Sequence, residues 1–133
     1  MNAPIRPDLQ AVLLCEDVRQ EVGGGQTLVG VLNVIPAPVI PIGLFKLCLW
    51  TRWCGGFGTF EQRARILAPD ESQVIAEAAV KFELRDIEAH ATNVHVFGGV
   101  QLPVLGVYHA EIHLDGEFCM RMPMPVVPVQ QQN

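Results

Sequence analysis

Charge is scarce in this 133-residue chain: 17% of its residues are Asp, Glu, Lys or Arg, and nine cations face fourteen carboxylates for a formal net charge of −5. So few cations leave no basic stripe of the kind that nucleic acids or anionic membranes require, and neither partner is expected. Long apolar runs are missing as well. None approaches the roughly 18 residues of a membrane helix, and the apolar stretch 34–44 is broken by prolines at 36, 38 and 41. The first ten residues carry Arg6 and Asp8 among prolines and contain no apolar segment of the secretory type. Cysteine is sparse and scattered, at 15, 48, 54 and 119, with no C-x-x-C pair. The expectation is four reduced thiols, packed as small hydrophobes, in a cytoplasmic protein.

Hydrophobic residues make up 50% of the chain, enough to build a real core in one domain. The dominant period is two. Val74, Ala76, Ala78, Val80, Phe82 and Leu84 alternate with Glu77, Lys81 and Glu83, and before them Phe60, Ala64 and Ile66 alternate with Glu61, Arg63 and Arg65. Between the two runs, Pro69-Asp70-Glu71-Ser72 is a turn, because Pro presets φ and Asp bonds its own backbone. Tyr108, Ala110, Ile112 and Leu114 alternate with His109, Glu111 and His113, and Asp115-Gly116 then signals a tight hairpin. On the return strand Phe118, Met120, Met122 and Met124 are expected on one face, with Pro123 and Pro125 marking a sheet edge. Further strands are expected over 9–15, 27–33 and 44–53, with a weaker one over 93–97. The sum is a single-domain, all-β, antiparallel sandwich of about eight strands over 1–133, with a core at about 9–126 and a flexible tail over 127–133.

Two segments carry a resemblance. Leu13-Leu14-Cys15-Glu16-Asp17-Val18-Arg19-Gln20-Glu21, followed by Leu28-Val29-Gly30-Val31, resembles the opening of a family of small uncharacterised bacterial β-sandwich proteins. The likeness returns at Pro69-Asp70 and at Gly106-Val107-Tyr108 leading into Leu114-Asp115-Gly116-Glu117. It runs from about Ala11 to Val126 and implies a β-sandwich, with no activity, cofactor or catalytic residue attached. Gly106-x-Tyr108 before a strand also resembles the tyrosine corner of Greek-key sandwiches.

Chemistry-bearing clusters are few. His90, His95, His109 and His113 fall close together, but on a strand His109 and His113 stand roughly 13 Å apart, too far to share one zinc ion. No metal and no cofactor are expected. Asp17 and Glu21 flank Arg19, either as an acid/base pair poised by a cation or as a salt-bridged surface cluster. No nucleophile elbow or Ser-His-Asp order is readable, and the Gly23–Gly25 and Gly55–Gly56 runs lack the Lys-Ser/Thr and helix of a phosphate cradle. The expected protein is not an enzyme.

The strand over 44–53 is the most suggestive feature. Phe45, Leu47, Leu49 and Trp53 take one face, and Lys46, Cys48, Trp50 and Arg52 the other, with Phe57 in the adjoining glycine loop. An indole between two cations is unusual on a face that simply meets water. Lys46, Trp50, Arg52 and Phe57 therefore form a candidate contact surface for another protein or a second copy. Alternatively, Trp50, Trp53 or Phe57 stacks on a sugar or other small ligand, or Trp50 is covered by another part of the chain while the cations snorkel out.

Overall fold

The computed structural model describes residues 3–129. Nine strands succeed one another: β1 Asp8–Gln20, β2 Gln26–Val31, β3 Ile35–Ala37, β4 Ile42–Cys54, β5 Gly58–Leu67, β6 Val74–Leu84, β7 His90–Leu102, β8 Gly106–Leu114 and β9 Glu117–Pro128. They form a four-stranded sheet, β2-β1-β4-β7, and a five-stranded sheet, β3-β9-β8-β5-β6. The inward sets of the two sheets meet in one core that includes Leu14, Leu47, Leu49, Trp53, Phe60, Ile66, Phe97, Tyr108, Ile112 and Met124. The period-two reading thus describes the fold, and both expected hairpins are present.

At the β8–β9 turn Asp115 and Gly116 both have positive φ, 49° and 83°, the conformation a two-residue hairpin loop imposes. Tyr108, fully buried, donates its hydroxyl proton to the Val104 carbonyl at 2.8 Å and accepts the Val104 N–H at 3.1 Å. This phenol anchors the β7–β8 connection where the chain crosses between sheets, as the tyrosine-corner likeness implies.

Four expectations need correction. The ninth strand, β3, lies in the proline segment; although Pro36 lacks a donor, Ile35–Ala37 pair in parallel with Val126–Pro128 of β9. That pairing makes β3 the sheet edge along the end of β9, and β9 includes Val127 and Pro128, the first residues of the expected tail; positions 130–133 lie outside the described residues. Phe118 does not share a face with the methionines. A bulge between Ile112 and His113 sets Phe118 opposite His113, where the two rings meet edge to face at 5.8 Å, while Met120 and Met122 face Ile112 and Ala110. Phe45 is 92% exposed although Leu47, Leu49 and Trp53 are buried. Near Phe45 the inward set changes from odd to even positions, so that Ile42 and Leu44 pack on the core; in β7 the change falls at Gly98-Gly99, where Gly99 has φ +64°.

Candidate functional site

The outer face of the four-stranded sheet is built in rows. Ala11, Arg52 and Thr92 stand side by side on β1, β4 and β7; Leu13, Trp50 and Val94 follow; then Cys15, Cys48 and Val96; then, across β1 and β4, the Asp17–Lys46 ion pair. β2 adds Val31 beside Cys15. Leu13, Val31 and Val96 are 37%, 48% and 57% exposed. The outer face of the five-stranded sheet is different in kind. Arg65 faces Glu77 on one side and Glu111 on the other, Glu111 faces Arg121, Glu61 faces Lys81, and Arg63 bridges Glu61 at 3.6 Å and Glu77 at 2.9 Å; the exposed Phe118 and Val107 lie on the same face. Charge dominates the middle of this face, as it does where sandwiches meet water. The face of the four-stranded sheet is apolar at its centre.

The apolar face is partly roofed by the chain's own hairpin. Trp50 is half-buried and donates its indole N–H to Gln26 Oε1 at 2.7 Å. Leu13 marks the level of Trp50 along β1, and Gln20 that of Gln26. In a flat sheet those levels are about 23 Å apart, so the β1–β2 hairpin must curl back over the outer side of β4. The Cys48 thiol lies 3.9 Å from the Glu16 carbonyl oxygen, and Cys15 and Cys48 are completely covered although their alternation points them outward. Burial pushes both thiols above their ordinary pKa, which keeps them protonated and unreactive. All four cysteines are free.

Of the four candidate contact residues, Lys46, Trp50 and Arg52 share this face, separated along β4 as a strand dictates. Phe57 lies past the end of β4, where its backbone pairs with Ile5. Lys46 is engaged by Asp17. Arg52 forms no ion pair among the described residues, and its buried Nε has no hydrogen-bond partner. Trp53 is 1% exposed and sits in the core, so it offers no stacking surface.

The acid/base reading of Asp17 and Glu21 meets a physical obstacle. The Lys46 ammonium holds the Asp17 carboxyl below its ordinary range, so it stays ionised near neutral pH, while Glu21 accepts a hydrogen bond from Thr27 at 2.8 Å. His109, Glu111 and His113 run along the outer face of β8, with His113 at 3.2 Å from Glu111. Among the described residues no group of three or more His, Cys, Asp or Glu is placed to hold a metal ion. An open cleft of about 490 Å³ separates β6 from β7, and Glu77 is the titratable residue among those lining it.

A buried polar cluster escaped the sequence reading. Gln62 of β5 points between the sheets, and its Oε1 accepts from Trp53 Nε1 at 2.6 Å, Thr51 Oγ1 at 2.8 Å and Asn93 Nδ2 at 3.2 Å. Its Nε2 lies 2.7 Å from His95 Nε2 and donates there, which makes His95 a neutral ring protonated at Nδ1. Burial depresses the His95 pKa, consistent with the neutral form. Alternation by itself would set Gln62 inward between Phe60 and Ala64, a signal available in the sequence; its partners come from β4 and β7, which no local pattern links to it. The group satisfies its own donors and acceptors inside the core, so its role is to fix how the sheets pack.

The family of unknown function DUF6941 matches residues 10–127, nearly the span over which the sequence motifs run, and the chain belongs to that family. No curated protein matches the sequence.

Proposed function

We propose that this member of the DUF6941 family is a protein-interaction module, not an enzyme, and that the outer face of its four-stranded sheet is the contact surface. The contrast between the two outer faces carries the reading: charged pairs run through the middle of one, with Phe118 and Val107 beyond them, whereas Leu13, Val31, Val94, Val96 and the half-covered Trp50 cluster on the other between Arg52 and the Asp17–Lys46 pair. Exposed apolar surface of this kind, rimmed by polar groups, is characteristic of binding sites. Trp50 and Arg52 are the residue types that dominate interface energetics. The partner is therefore a protein surface that is apolar at its centre and carries a carboxylate for Arg52. The four free cysteines support a reducing compartment such as the cytoplasm.

The test is affinity capture from cells with tagged wild-type chain, a Leu13→Asp/Val96→Asp variant, and a Glu83→Lys control on the charged sheet. The expected result is an identified protein held by wild type and control and lost from the double variant, with all three chains melting alike. Equal capture by all three chains contradicts the reading.

A further inference from the structure

The edges of the two sheets are not equally guarded. β3 has three residues and contains Pro36; β2 has six and bends at Gly30, φ +66°; β7 is interrupted at Gly98-Gly99. Short strands, proline and glycine kinks are the usual devices that stop an edge from pairing with another chain. β6 has none of these, and its one bulge, at Ile75, lies near its start, away from Ala79. It is the terminal strand of the five-stranded sheet, eleven residues long, without glycine or proline, and Ala79, Lys81 and Val80 are exposed along it.

We propose that β6 pairs antiparallel with β6 of a second copy about a two-fold axis at Ala79, joining two five-stranded sheets into one. This edge shares no residue with the apolar outer face of the four-stranded sheet. A two-fold between identical antiparallel strands sets each residue opposite the one equally far on the other side of the axis. With Ala79 on the axis, Glu77 meets the partner's Lys81 and Lys81 meets the partner's Glu77, twice over, on the outer face. On the inner face Ala78 meets the partner's Val80, covering an apolar side chain that the monomer leaves 36% exposed. Moving the axis to Val80 opposes Glu77 with the partner's Glu83, and moving it to Glu77 or Lys81 opposes like charges at the centre; an axis at Ala78 opposes no charges. An axis at Phe82 also opposes Lys81 with the partner's Glu83, but it leaves only residues 80–84 to pair, whereas Ala79 is the middle of the strand. Charge and overlap together select one register.

Within one chain Lys81 is free to serve. Among the described residues it forms no ion pair, although Glu61 stands opposite it on β5. Glu77 already bridges Arg63, so the paired edge would continue the ladder of alternating charge from one sheet into the next. Lys81 thus deters random edge pairing while admitting the one arrangement that matches it with a carboxylate.

Sedimentation equilibrium on the purified chain tests this, together with Lys81→Glu and Glu77→Lys variants alone and mixed. Wild type should dimerise. Each single variant should dimerise about tenfold or more weakly, because two attractive cross-strand pairs become two repulsive ones. Mixing the two variants should restore the dimer, since the Glu77→Lys chain presents cations at 77 and 81 to carboxylates at the same positions of the other chain. Amide exchange of wild-type β6, slowing as concentration rises, reads the same contact without any substitution. A chain that stays monomeric across the series, or a dimer indifferent to both charge reversals, overturns the proposal. Neither outcome touches the Leu13–Val96 face, which these variants leave intact.

Discussion

Gln62 Nε2 lies 2.7 Å from His95 Nε2 between the two sheets, and this contact requires the imidazole to be neutral. Burial lowers the His95 pKa from its ordinary 6.5. Below 6.5 the unfolded chain takes up a proton that the folded chain resists, so stability is fully present above that value and falls as pH drops toward the lowered folded one. Asp17 and Asp70, whose carboxyls are held below 3.8 by Lys46 and by Ser72, lose their contribution only at more acid pH. Denaturant melts as a function of pH should show the first loss just below 6.5, and a His95→Gln variant should lose that limb while keeping the acid one.

Removing the hub of the same cluster should cost more. Gln62→Leu leaves the Trp53 indole N–H and the Asn93 amide without their shared acceptor in the core, while the Thr51 hydroxyl keeps the Asn93 carbonyl at 3.3 Å. Each stranded donor costs about 1–3 kcal/mol, so the variant should lose at least about 2 kcal/mol in a urea melt. A midpoint within error of wild type would mean that the network contributes nothing to holding the sheets together.

Trp50→Ala should lower stability moderately, by about 2 kcal/mol, because the indole is half-buried and tied to Gln26 where a fully buried Trp would cost about 3–5. Gln26→Ala should release the curled hairpin and raise amide exchange over β2 without unfolding the sandwich. If β2 exchange is unchanged, the Gln26 contact does not hold the hairpin over the sheet.

The thiols divide by cover. All four should titrate in denaturant without reductant, whereas in the native protein Cys15 and Cys48 should react far more slowly than the partly exposed Cys54 and Cys119. Fewer than four reactive thiols after denaturation would contradict the free cysteines.

Features legible in the sequence were those written by neighbours along the chain. Alternation over Tyr108–Leu114 and the Asp115-Gly116 pair determine a hairpin locally, and Tyr108 reaches only four residues back to Val104. The missed features each depend on a partner far away. Ile35–Ala37 become a strand only because Val126–Pro128 lie beside them; Phe118 changes face because a bulge opposite Ile112 shifts the register; and Trp50 is roofed by a hairpin whose curl no local pattern encodes. The candidate surface was legible for Lys46, Trp50 and Arg52 because strand alternation alone groups them. Phe57 lies beyond the end of β4, where its backbone pairs with Ile5, a residue far from it along the chain.

The most direct test of the interaction reading is amide hydrogen exchange of the chain alone and in complex with the captured partner. Protection is expected in β1 around Leu13 and in β7 around Val94–Val96, with the charged strands β5 and β8 unchanged. Protection confined to β5 and β8, with β1 and β7 unaffected, would contradict the assignment of the apolar face as the contact surface.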